Sequence, residues 1–126
     1  MEDIDLSGHF CYPPFPAFSR YVELCAEIMR RRDGDPDIGL KLPALLLGVG
    51  ITIGGVGVTH QADLDGDVKL LSALNMENYA DAVVAEGLAM RDEVDQLIAA
   101  LYENARDPTR FVSVARTIQV WGRRPA

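Results

Sequence analysis

The spacing of apolar side chains along the chain predicts four helices. In residues 17–32, 67–75 and 108–121, apolar side chains recur every three or four positions, as they do on one face of an α-helix. Pro16 suits the first turn of the first helix, and three consecutive arginines close its last turn, where positive charge is favourable. The remaining helix is predicted over residues 76–104, where the pattern is the most regular.

Residues 76–104 follow a heptad repeat. Apolar or small residues occur there at alternating spacings of four and three: Met76, Ala80, Val83, Gly87, Met90, Val94, Leu97 and Leu101. This spacing predicts one continuous helix of about 43 Å, with an apolar seam that packs against another helix. The predicted contact residues on this seam are Val83, Gly87, Met90 and Val94.

Residues 38–60 have a different pattern, which predicts a β-hairpin. Between Val49 and Thr59, seven of the eleven residues are β-branched and the other four are glycine. Glycine in a helix interior costs about 1 kcal/mol relative to alanine, whereas β-branched residues favour strands. We therefore expect Gly39–Gly48 to pair with Ile51–Thr59. The predicted fold class is mainly α with a small β part (α+β), in which four helices surround a central glycine-rich hairpin.

The same region includes twenty consecutive residues without an acid, lysine or arginine, from Leu42 to Gln61. Twenty residues is the length of a membrane-spanning helix. Five of them are glycine, however, and the firmly apolar part, residues 44–58, is only fifteen residues long, which is more typical of a buried segment. A membrane location is therefore not favoured. The alternative fold is all-α, with residues 43–60 as a buried or membrane helix.

The first sixteen residues differ in composition from the rest. Phe10, Tyr12 and Phe15 alternate with three prolines, which fix the backbone φ and remove hydrogen-bond donors. We predict an irregular aromatic and proline-rich arm over residues 1–16 and a single, mainly helical domain over residues 17–126. Because three exposed aromatic rings are costly in water, the arm is expected to pack on its own domain or on a neighbouring subunit.

Composition and charge narrow the classes of function. The 126 residues are 48% hydrophobic and 25% charged, with a net charge of −7. Such a chain is globular, and its excess of acid does not suit a typical nucleic-acid-binding protein, so no nucleic-acid partner is expected. The chain has only two cysteines, and its N-terminus is acidic rather than basic and apolar like a secretion signal. We expect a cytoplasmic protein with reduced thiols.

The glycine cluster is a candidate site for a phosphate group. An apolar run leads into five glycines, an order also found where a strand enters the turn of a dinucleotide-binding site: Gly48, Gly50, Gly54, Gly55 and Gly57. Their spacing departs from the G-x-G-x-x-G pattern. With Arg110 or Arg116 as a basic partner, the cluster predicts binding of a nucleotide or another small anionic ligand. The alternative is that the glycines only permit close packing of the backbone.

A second candidate site is acidic and would bind a metal ion. Alternating carboxylates follow a histidine in the set His60, Asp63, Asp65 and Asp67. Alternating carboxylates are typical of calcium loops, but valine and leucine occupy the positions at which such loops need glycine and glutamate. A metal-dependent enzyme centred on these residues is one alternative function, and a solvated turn is the other interpretation.

No catalytic motif is present in the sequence, and no cofactor is predicted. The heptad seam, the aromatic arm and the glycine-rich segment each need a covering surface, which is more than a chain of this length readily provides. We therefore expect a non-enzymatic assembly or interaction protein, either a homo-oligomer or a small subunit of a larger complex. Its predicted partner is itself or another protein subunit, and its predicted contact residues are Phe10, Tyr12, Phe15, Val83, Gly87, Met90 and Val94.

Overall fold

The computed structural model describes residues 1–125 and has a mixed α+β fold. Four α-helices account for most of the regular structure: α1 (Pro16–Arg31), α2 (Ile38–Gly48), α3 (Leu71–Ala85) and α4 (Arg91–Arg106). Short 3-10 helices cover Leu6–Gly8 and Asp67–Leu70. The strands are β1 (Glu2–Asp5), β2 (Cys11–Tyr12), β3 (Thr52–Thr59), β4 (Ala62–Asp63), β5 (Phe111–Ser113) and β6 (Arg116–Arg123).

The strands form two antiparallel sheets of three strands each. Sheet A has the order β1-β6-β3, so its centre is the C-terminal strand and its two edges are β1 and β3. Sheet B has the order β2-β5-β4 and consists of short strands only. Each sheet therefore joins a segment from the start of the chain to one near its end.

Two hydrophobic cores hold these elements together. The larger core lies among α1, α3 and α4 and includes Ile28, Met76 and Leu101, all fully buried. The smaller core lies between α2 and sheet A, where Leu42 packs against Ile118 and Val120. Sheet A is thus covered on one face by α2, which packs along all three of its strands.

The first predicted helix and the strand in the glycine-rich segment are confirmed, whereas the predicted hairpin is wrong. α1 occupies nearly the predicted residues, and β3 lies within the expected Ile51–Thr59. However, Gly39–Gly48 is helical, because Leu40 to Leu47 is rich in strong helix formers and Gly39 allows the helix to approach β1 closely. A side-chain Cβ on Gly39 would lie 2.8 Å from the backbone of Ile4.

The single long helix over residues 76–104 is also wrong, because the chain turns back within it. α3 ends at Ala85 and α4 begins at Arg91. Gly87 has a φ of +71°, and the amides of Gly87 and Leu88 donate to the carbonyls of Val84 and Val83. This is the Schellman arrangement, in which a left-handed glycine ends a helix. The heptad pattern therefore describes two helices that pack on each other.

The C-terminal helix predicted over residues 108–121 is replaced by β5 and β6. The helix predicted over residues 67–75 is a 3-10 turn followed by the start of α3. Residues 1–16 are not an irregular arm, since β1 and β2 belong to the two sheets.

The all-α alternative is wrong as well, because α2 ends at Gly48 and is followed by a strand. The long segment without charge is therefore divided between two elements. Within residues 1–125, none of the helices combines the length and the apolar character needed to cross a membrane.

Candidate interaction surface and a buried cavity

The outer edge of sheet A at β3 is open. β3 is hydrogen-bonded to β6 along one side, and in residues 1–125 no strand pairs with its other side. The strand is eight residues long, TIGGVGVT, and contains neither a charged residue nor a proline. At every second residue of this strand, the backbone N–H and carbonyl groups therefore remain free to form hydrogen bonds with another chain.

Two valines of β3 are left uncovered on the face that α2 shields. Directly paired residues of antiparallel strands project from the same face of a sheet. Val56 is paired with Val120 and Val58 with Ile118, and both partners are buried beneath α2. Val56 and Val58 nevertheless remain 48% and 59% exposed, so α2 leaves these two side chains uncovered.

Trp121 lies on the opposite face of sheet A, over the glycines of β3. It is paired with Gly55, and a Cβ on that glycine would lie 2.6 Å from Cε2 of the indole. Cβ atoms on Gly54 and Gly57 would also contact the ring, at 3.2 Å from Cδ1 and 3.6 Å from Cζ3. Because these glycines have no side chains, the indole can lie against the backbone of β3. It is still 55% exposed.

The outer surface of α2 is apolar too. Leu40 and Leu47 are seven positions apart, so they lie on one side of the helix, and both are more than half exposed. Apart from Lys41, α2 has only apolar side chains and glycine. We use the name apolar lobe for the exposed large side chains of α2, β3 and their surroundings: Leu40, Leu45, Leu47, Val49, Val56, Val58 and Trp121.

The predicted interface residues occupy several separate places. Val83 and Val94 are fully buried in the larger core, where they have no surface for a partner. Gly87 and Met90 are exposed in the turn between α3 and α4.

The three predicted aromatic contacts are distributed around the small sheet. Phe10 is half-buried between the rings of His60 and Phe111, and Tyr12 is exposed. Phe15 is half-buried and is covered by the guanidinium of Arg110 at 4.7 Å from the ring centroid. The sequence analysis expected the glycine-rich segment to need a covering surface, but it named none of the large exposed side chains of the apolar lobe as contact residues.

The residues of the predicted anion site are not brought together. Arg110 pairs with Asp107 and donates a hydrogen bond to the carbonyl of Pro13. Arg116 pairs with the buried carboxylate of Asp5 at 2.8 Å. Both arginines therefore have partners within the chain. Gly54, Gly55 and Gly57 contact the indole of Trp121, and Gly48 ends α2 with open space beside it.

The residues of the predicted metal site form no ligand set. His60 packs edge-on against Phe10, with ring centroids 5.5 Å apart. Asp63 belongs to β4, Asp65 is exposed in the following bend and Asp67 opens a 3-10 helix. Within the described part of the chain, no three histidine, cysteine or acidic side chains are placed to hold a metal ion.

A cavity of about 220 Å³ lies where β1, α1 and α3 meet. Its polar side is formed by three residues from separate segments: His9, Tyr21 and Asn75. Nε2 of His9 and the hydroxyl of Tyr21 are hydrogen-bonded at 2.9 Å, and the amide of Asn75 donates to the same hydroxyl at 3.2 Å. The sequence offered no signal for this cluster, since its members are far apart along the chain.

Burial shifts the pKa values of three titratable groups around this cavity further from neutral pH. It lowers the pKa of His9 to about 4, although the nearby backbone of Ser113 partly opposes the shift. Burial also raises the pKa of the Tyr21 hydroxyl far above its usual range, and that of the Cys25 thiol to about 12. The cavity therefore presents a neutral imidazole, a phenol and a thiol rather than charged groups.

A comparison with protein-family models found no match to this chain, and a comparison with curated proteins likewise found none. Its function is therefore argued from the geometry of the apolar lobe and of the cavity.

Proposed function

We propose that this chain is a non-enzymatic assembly protein that binds a second copy of itself through the apolar lobe. The observation that carries the proposal is the open edge of β3, which has neither a charge nor a proline. Natural proteins usually protect such an edge with charged side chains, proline or a covering element, because an open edge pairs readily with another chain. β3 is thus a suitable place to add a partner's strand.

The other edge of sheet A is protected against such pairing. β1 carries Glu2 and Asp3, which are both exposed. A second copy brought to that edge would place acidic side chains near each other, and like charges on paired strands are destabilising. Self-association through β3 avoids this repulsion.

Antiparallel pairing of two β3 strands produces a symmetric interface. Each strand meets the same strand of the partner, as a two-fold interface requires, and the two sheets join into one sheet of six strands. Val56 and Val58 would then lie beside the same valines of the partner, on the face that α2 partly covers. Exposed side chains of this kind gain free energy by leaving water.

The charge distribution favours the same surface. The chain has a net charge of −7, so two copies carry a net electrostatic repulsion. From Leu42 to Gln61 there is no acid, lysine or arginine, and two copies can meet along this stretch without that repulsion. Association should therefore strengthen as salt screens the remaining negative charge. Both cysteines are free and buried, which suits the cytoplasmic location we propose.

Two lysine substitutions test whether the chain associates through β3 or through the predicted heptad seam. Val58→Lys places a charge on the open edge of β3, at a side chain that is 59% exposed and so can accept it without unfolding. Met90→Lys places the same charge at an exposed side chain in the turn between α3 and α4. Sedimentation velocity of both variants and of the native chain measures their association, and circular dichroism checks that each is folded.

We expect Val58→Lys to be monomeric at concentrations at which the native chain and Met90→Lys are dimeric. A folded Val58→Lys variant that still dimerises would refute the β3 interface. Loss of association in Met90→Lys alone would instead assign the interface to the α3–α4 turn. If all three proteins are monomeric, self-assembly is wrong.

A further inference from the structure

The cavity between β1, α1 and α3 has the size of a small organic ring. Its volume of about 220 Å³ exceeds the roughly 150 Å³ of an engineered apolar cavity that admits benzene. Its walls are mainly apolar, with contributions from Ile4, Leu6, Met29 and Val114. None of the residues that line it carries a charge at neutral pH. This composition is typical of sites for small uncharged molecules.

The polar residues of the cavity are held in place by burial and by hydrogen bonds to one another. His9 is 8% exposed and Tyr21 is 1% exposed, so both are held inside the fold. Their hydrogen bond of 2.9 Å and the bond of 3.2 Å from Asn75 converge on one atom, the Tyr21 hydroxyl oxygen. Since Asn75 donates to this oxygen, the hydroxyl is free to donate its own hydrogen to Nε2 of His9.

Hydrogen-bonding capacity is left over in this cluster. The Asn75 amide nitrogen has two hydrogens and uses one of them on Tyr21. A ligand oxygen beside Asn75 and Tyr21 would use part of this capacity.

A route from solvent into the cavity is present. Asn75 and Leu71 line the cavity from α3 and are themselves exposed, so they mark its mouth. A second, larger cavity of about 530 Å³ shares Ile4, Met29 and Tyr79 with it and is therefore adjacent. A small molecule can reach the polar side without unfolding of the larger core.

We propose that this cavity is a binding site for an uncharged single-ring molecule that carries one hydrogen-bonding oxygen, as phenols do. The apolar walls accept the ring, and the Tyr21 hydroxyl and the Asn75 amide bind the oxygen. The site is independent of the apolar lobe, so it can exist whether or not the chain assembles.

Three probes of similar shape test the proposal: phenol, toluene and benzoate. Each is added to ¹⁵N-labelled protein, and the shifts of the amide signals are followed to saturation. Phenol is expected to shift signals from the residues that line the cavity. Toluene, which lacks the oxygen, should bind about tenfold more weakly. Benzoate should not bind, because its charge would lose its hydration without a partner.

Two variants test whether the probes bind in this cavity and whether the Tyr21 hydroxyl contributes to binding. Tyr21→Phe keeps the ring and removes the hydroxyl, so it should reduce the preference for phenol over toluene. Ala115→Leu fills the cavity from the segment before β6 and should abolish binding of both probes. Ala85→Leu is the matched control, because Ala85 is exposed at the end of α3 and does not line the cavity.

Saturable phenol binding that Ala115→Leu removes and Ala85→Leu leaves intact would support the proposal. The proposal is overturned if phenol shifts no signal up to millimolar concentration, or if benzoate binds as well as phenol does. Unchanged phenol binding in Ala115→Leu would overturn it too. The state of assembly enters none of these readouts, so failure here is distinct from failure of the proposed function.

Discussion

The indole of Trp121 rests on the backbone of Gly55, with no room between them for a methyl group. Gly55→Ala should therefore displace the indole from sheet A. Since Trp121 is the only tryptophan, its fluorescence emission reports this displacement directly, and we expect a shift to longer wavelength. The loss of ring contact should lower the free energy of unfolding by about 1 kcal/mol.

Gly48→Ala is the matched control for this experiment. Gly48 is the last residue of α2 and has open space beside it, so alanine there should leave the emission unchanged. Equal emission spectra for Gly55→Ala and the native chain would show that the indole does not rest on this glycine.

Gly87→Ala should lower stability for a reason that involves no neighbouring side chain. Gly87 has a φ of +71° and open space beside it, so the cost comes from the left-handed backbone that ends α3. We expect a loss of about 1–2 kcal/mol in the free energy of unfolding, measured by urea denaturation. If α3 and α4 were instead one continuous helix, alanine would stabilise the chain.

His9 should make the protein less stable in mild acid. Its pKa is lowered to about 4 when folded, against about 6.5 when unfolded, so between these values the unfolded chain binds more protons. Stability from this residue is therefore present above pH 6.5 and is lost as the pH falls towards 4. We expect a decrease of about 2 kcal/mol in the free energy of unfolding from pH 7 to pH 5.

The two histidines of the chain provide the variant and its control. His9→Gln should remove most of this pH dependence, since glutamine does not titrate. His60→Gln should retain it, because His60 lies at the surface against Phe10. An identical pH dependence in His9→Gln and the native chain would mean that His9 is not responsible.

The C-terminal segment shows why spacing alone could not decide between helix and strand. Ile118 and Trp121 fit a helical stripe, but residues 117–121 also alternate between the two faces of a strand. Asp107 precedes a proline, as at a helix start, yet its carboxylate binds the amide and hydroxyl of Thr109 and closes a turn. The pairing of β6 with β1 and β3 decided between these two local options.

The central segment shows what could be predicted and what could not. β-branched residues and glycines predicted a strand at β3, and that strand forms. The pairing partner was not predictable, because β3 pairs with a strand about sixty positions later in the chain rather than with its neighbour. The cavity has the same limitation, because His9, Tyr21 and Asn75 meet only through the fold.

Static light scattering coupled to size-exclusion chromatography tests the central proposal, self-association through β3, most directly. The native chain has a mass of 13.8 kDa, so a dimer is distinguished from a monomer by a doubled mass. We predict a dimer at micromolar concentration whose share increases when salt is raised, because the interface is uncharged and the rest of the chain is acidic. A 13.8 kDa species that persists at high protein and salt concentrations would contradict the proposal.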